Sequence, residues 1–157
     1  MSLSNFEIED ICDELKLPYI GVFSKDQIPK ERKVGTYYIN LQNHNDGNGT
    51  HWVFMRLFPN AKFIYFDSFG QPPPEQIIEW SKPFKPIAIN NRQIQDINSQ
   101  KCGWFCISLD YYFTYDCKTN KDVFDNYNDF LSIWSSNTKL NDKILKEFLG
   151  SKTLSMK

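Results

Sequence analysis

Four cysteines, two histidines and a formal net charge of −1 are all that these 157 residues contain of three informative kinds of group. Cysteines this few, with no CxxC pair and no regular spacing, do not make the framework of a disulfide-stapled secreted domain or of a structural zinc site. Near neutrality removes any general attraction to nucleic acid. No apolar run reaches the roughly eighteen residues that a membrane-spanning helix needs. The opening "MSLSNFEIED" has neither the basic flank nor the apolar core of a signal peptide. The chain is therefore expected in a reducing compartment, with its cysteines as thiols.

What is present is aromatic. With 41% hydrophobic and 16% aromatic residues, the chain has enough apolar volume for one core, and a single domain over residues 1–157 is expected. Ser4 followed by Glu7 is a capping box, and Ile8, Ile11, Cys12 and Leu15 recur at helical spacing, which predicts a helix from about Ser4 to Leu15. A loop rich in Lys and Pro follows. "GTYYINLQ", "THWVFMRLF" and "KFIYFD" read as strands, separated by the turn chemistry of "NDGNG" and "PNA", so residues 37–67 predict an antiparallel meander. Pro73 or Pro74 can open a short helix, and "KPIAINN" reads as one further strand. Helical spacing resumes at Cys102, through Phe105, Cys106, Leu109, Tyr112 and Phe113, and two more helices are expected over 123–134 and 140–149. The fold class is α+β: a central, mainly antiparallel sheet with helices packed on it and a cysteine at the mouth of a central helix.

Chemistry concentrates at a few of these places. His51 opens the second strand of the meander, where its ring can project from a strand end; His44 lies in the polar loop "QNHNDGNG". Asp67 ends the next strand, and a hairpin about "PNA" returns it to the same sheet edge as His51. A carboxylate there would orient the imidazole and stabilise its protonated form, whereas a lone strand-end Asp would more ordinarily bond a turn. Cys102 begins a helix, where the unpaired N–H groups, the macrodipole and a neighbouring imidazolium all favour a thiolate. Gly103 leaves room beside the sulfur, and Cys106, one turn on among apolar residues, reads as a buried structural thiol. Acyl transfer also needs a donor for the oxyanion, for which Gln95, Gln93 and Asn98 all lie on the loop before Cys102. Metal ligation and a cofactor are not expected.

"GTHWV", "YFDSFG", "QDINSQKCGWFC" and, more weakly, "LPYIGVFSKDQIP" resemble the motifs of the adenovirus-type (adenain-like) processing proteases and, more distantly, of proteases that cleave ubiquitin-like modifiers. The elements come in the order His, acid, Gln, Cys and cover about residues 4–115. The resemblance implies His51 as general base, Asp67 as the orienting acid, Gln95 as the oxyanion amide seven residues before the nucleophile, and Cys102 as that nucleophile. It also implies that Trp52 lies over the substrate residues preceding the scissile bond and narrows the channel to glycine. Asp67 stands where adenovirus enzymes carry Glu, as in the modifier-specific relatives. Those viral enzymes are activated by DNA and by a peptide joined to a late cysteine; here the last cysteine is Cys117 and no strong positive charge is present. The "FDSFGQPPP" form looks most like proteases of virophages and related small DNA viruses and transposons.

The implied function is a monomeric viral cysteine endopeptidase that trims capsid or other virion precursor proteins at Gly-containing sites. It would act in the virion or in the host cytoplasm, nucleus or virus factory, without a membrane partner. A deconjugating protease for a ubiquitin-like modifier would use the same site, and a non-catalytic binding module would keep only the fold.

Overall fold

The computed structural model describes residues 2–43 and 51–156. His44 and the "NDGNG" turn lie outside these residues. Ser4 caps the first helix, α1 (Asn5–Glu14): its hydroxyl accepts from the Glu7 N–H at 3.1 Å, and the Glu7 carboxylate accepts from the Ser4 N–H at 3.0 Å. Then come strands β1 (Tyr19–Ser24), β2 (Gly35–Asn40), β3 (Trp52–Phe58) and β4 (Lys62–Phe66), helix α2 (Glu75–Ser81) and strand β5 (Lys85–Ile89). Helix α3 (Cys102–Tyr111) runs on into a π-helical turn, Tyr112–Asp116, and is followed by α4 (Val123–Leu131) and α5 (Asn141–Leu149).

All five strands form one sheet whose spatial order is the chain order. Strands β2, β3 and β4 are the expected antiparallel meander, while β1 joins β2 and β5 joins β4 in parallel, so the sheet is mixed. Strand β1 arises where the sequence reads as loop. Gly21 interrupts its apolar alternation and the register to β2 shifts between Tyr19 and Gly21, which removes the periodic signal a strand would give. Pro74 stands at the N-cap of α2, where its missing N–H costs nothing.

Alternation along the meander divides the core in two. Tyr38, Trp52, Phe54, Ile64 and Phe66 face α1, α3, α4 and α5; Tyr37, Ile39, Val53, Met55, Leu57, Phe63 and Tyr65 face Ile77 and Trp80 of α2. The sheet is thus buried on both faces, and α3, buried on every side, is the central helix of the thicker layer. Among the described residues no helix is long and apolar enough to cross a membrane.

A buried polar knot fixes α3 on the sheet. Asp110, fully buried, accepts from Thr36 Oγ1 at 2.9 Å and from Tyr38 Oη at 2.7 Å, and Arg56 Nη1 approaches it at 3.4 Å. Burial raises its carboxyl above the usual range while these donors oppose that shift.

Candidate active site

The β3–β4 register pairs Phe54 with Phe66 and Phe58 with Lys62, so the two strands open toward the end that carries His51 and Asp67. His51 Nε2 lies 3.0 Å from Asp67 Oδ1, and the ring packs on Phe69 with centroids 5.2 Å apart. Asp67 is 1% exposed, and the same Oδ1 accepts from the Phe69 N–H at 2.8 Å. Its backbone is held as firmly: the carbonyl accepts from Gly70 N at 2.8 Å and from Asn90 Nδ2 at 2.6 Å. Gly70 has a φ of +76°, and a Cβ there would meet the Arg92 carbonyl carbon at 2.8 Å, so only glycine fits this turn.

Cys102 is the first residue of α3, whose N-cap residue, Lys101, makes no side-chain cap bond. Its sulfur accepts from the Trp52 N–H at 3.4 Å, which joins the helix mouth to the strand beginning beside His51. Cys102 as well as Asp67 acts on the His51 ring. Burial pulls the His51 pKa down, but the hydrogen bonds and charges of Asp67 and Cys102 outweigh it and raise the value from 6.5 to about 9. The arrangement favours an imidazolium at neutral pH beside a sulfur at a helix N-terminus, the environment in which a thiolate is a nucleophile.

The other thiols differ. Cys106 is fully buried, its Sγ–H donates to the Trp52 carbonyl at 3.5 Å, and burial pushes its pKa well above the ordinary 9.0. Burial raises Cys12 to about 12 and also raises Cys117. Among the described residues no group of His, Cys, Asp and Glu could hold a metal ion.

Of the three amide candidates, Gln95 is the one anchored at the site. It is 1% exposed; Ser68 Oγ donates to its Oε1 at 2.6 Å, and its Nε2 donates to the Ser99 carbonyl at 2.9 Å. Ser99 Oγ in turn accepts from the N–H of Lys101, the N-cap of α3, at 3.2 Å. Gln93 instead donates to the Gln95 carbonyl, and Asn98 uses its backbone N–H on Asp96.

Trp52 and Gly103, the residues expected to meet substrate, are both buried beside Leu3. Trp52 is 2% exposed, and its indole N–H donates to the Leu3 carbonyl at 2.8 Å. Gly103 is buried, and a Cβ there would meet Leu3 Cδ1 at 3.2 Å and Trp52 Cδ1 at 3.4 Å. The chain's own Leu3 thus packs on both residues. Leu3, Ser68 and Asn90 carry this arrangement, and sequence reasoning missed all three. Ser68 lies inside the quoted "YFDSFG", but nothing local marks a Ser whose partner is 27 positions away.

No protein-family model matches the sequence, and no curated protein matches it. Solved structures do. A crystal structure of ASFV pS273R protease matches with a TM-score of 0.57 at 15% identity, covering 94% of this chain and 65% of that one. The selenomethionine form of the ASFV pS273R protease matches with a TM-score of 0.48 at 19% identity, covering 74% and 43%. The chain therefore spans less than two thirds of the length of these proteins, and at such identity what the first match establishes is a shared α+β fold.

Proposed function

We propose that the chain is a viral cysteine endopeptidase of the ubiquitin-like-protease clan. The reading rests above all on one observation: an imidazole 3.0 Å from a buried carboxylate is also acted on by the thiol of the first residue of α3, whose sulfur is bonded to the N–H of Trp52 next to that imidazole. The fold shared with a viral protease supports it. In this reading the Cys102 thiolate adds to the scissile carbonyl, and the Cys102 N–H together with one Gln95 amide N–H stabilises the oxyanion. Collapse of that intermediate breaks the C–N bond, and His51 gives its proton to the leaving amine, forming an acyl-enzyme. His51, now neutral, takes a proton from water, the hydroxide adds to the thioester, and collapse releases the acid and restores the ion pair. Asp67 keeps the ring oriented and stabilises its charged form.

The finer assignment is to virion precursor proteins, cut at Gly-containing sites by an adenain-like enzyme during capsid maturation, in the virion or in infected-cell compartments. The slight exposure of Cys102, 2%, supports the glycine preference, because a backbone without a Cβ is the slimmest that can reach the sulfur. Purified protein incubated with structural proteins of a candidate virus should yield new termini, read by mass spectrometry. Cys102→Ala should abolish them and Cys106→Ser should leave most of them. Full activity of Cys102→Ala would remove the assignment, cleavage chiefly after bulky residues would remove the glycine preference, and faster turnover of a modifier conjugate than of any virion protein would move the substrate class to ubiquitin-like modifiers.

A further inference from the structure

The turn that presents Asp67 to His51 also grips the residue read as the oxyanion donor. Ser68, fully buried, makes three hydrogen bonds to the loop carrying Gln95: its carbonyl accepts from the N–H of Ile94 at 2.8 Å and of Gln95 at 2.9 Å, and its Oγ–H donates to Gln95 Oε1 at 2.6 Å. The amide's orientation follows from the chemistry of its two neighbours. The Ser99 carbonyl can only accept, so the end of the amide facing it, at 2.9 Å, must be Nε2. The end facing Ser68 is then Oε1, and only the serine O–H can donate in that pair. A reversed amide would set oxygen against oxygen at Ser99 on a side chain only 1% exposed. These bonds use Oε1 and one N–H of the amide, and its second N–H has no partner among the described residues.

We propose that Ser68 is a positioning residue: by donating to Oε1 it holds the Gln95 amide with its free N–H toward the oxyanion. This rests on the reading of Gln95 as the oxyanion donor. One dipeptide, Asp67–Ser68, then sets both ends of the charge redistribution, the carboxylate steadying the imidazolium and the hydroxyl steadying the amide.

Ser68→Ala removes the Oγ bond and keeps both backbone bonds. Its kcat is expected to fall about 10-fold or more with KM changed less than about twofold, the signature of an interaction realised in the transition state. The rate of Cys102 alkylation by iodoacetamide, which needs no oxyanion hole, is expected to stay at the wild-type value. Gln95→Ala is expected to lose roughly 10²- to 10³-fold in kcat, and adding Ser68→Ala to it should cost nothing more, because the hydroxyl then has no amide to hold. Ser68→Cys, a weaker donor of similar size, should lie between serine and alanine, and carries the same test should Ser68→Ala not fold. Losses that multiply in the double variant, or a fall in alkylation parallel to kcat, would overturn the proposal, since either means a general scaffold role. Gln95→Ala with unaltered kcat would instead remove the oxyanion reading beneath it.

Discussion

At the scale of single residues, His51 is the group whose ionisation decides most. Its pKa of about 9 in the folded chain lies above the 6.5 of an unperturbed imidazole, and Asp67 and Cys102 are what hold it there. The activity profile should therefore carry an alkaline limb near pH 9, where the His51 imidazolium is lost. Asp67→Asn removes the charge and weakens the hydrogen bond to Nε2, so that limb should move toward acid in both the kcat/KM profile and the iodoacetamide rate profile. An unmoved limb would separate Asp67 from the ionisation of His51. The same shift acts on stability. A base that binds its proton more tightly folded than unfolded contributes fully below about pH 6.5, and its contribution fades as pH rises through about 9. Thermal unfolding of the wild type should accordingly drop between pH 6.5 and 9 by more than that of His51→Gln, measured in parallel.

At the scale of elements, the C-terminal helices clamp the loop that carries Gln95. Asn141, fully buried at the start of α5, donates through Nδ2 to the carbonyls of Ile94 and Ser135 and accepts at Oδ1 from the Ser135 N–H. Thr138 donates to Asp96 at 3.0 Å, Ser99 donates to Asp142 at 2.8 Å, and Arg92 donates to the carbonyls of Leu131 and Trp134 at the end of α4. Asn141→Ala would strand these partners away from water, so a loss of about 2–3 kcal/mol is expected in urea unfolding, with kcat falling more than KM rises. The hairpin between β3 and β4 is strained in the opposite sense. Asn60 and Ala61 have φ of +67° and +54°; asparagine tolerates this region, but alanine's Cβ crowds the backbone there. Ala61→Gly should raise stability by about 0.5–1 kcal/mol, the relief of that crowding less glycine's greater entropy loss, and a decrease on unfolding would show the turn relaxed. Local rules made the legible parts of the fold legible: the Ser4–Glu7 box, the "PNA" hairpin, and Cys102 at a helix mouth all involve neighbours in sequence. The loop-clamping contacts join residues some 40 positions apart, and no periodicity announces them. Strand β1 failed to register for a different reason, since Gly21 erased its pattern.

At the scale of the whole molecule, the site is a junction of three layers. His51 and Asp67 belong to the meander, Cys102 to the helix packed on it, and Gln95 to a loop pinned by the last helices. The sequence places the first three because each ends or begins an element, and it leaves the fourth open among three amides because its selection depends on burial against Ser68 and Ser99. It is silent on Leu3, which closes over Trp52 and Gly103 from 49 residues upstream of the indole it bonds. That contact has a practical corollary for anyone producing the protein. Leu3 leads directly into the cap of α1, so a pull on the chain ahead of it acts on its seat against Trp52 and Gly103, whereas the residues after α5 bond the far end of α1 through Glu14. An affinity handle at the amino end is expected to pull Leu3 from its seat; the same handle at the carboxyl end is not. The two preparations should differ in their Cys102 alkylation rates, and removing the amino-terminal handle with a protease that leaves no extra residues should bring them together.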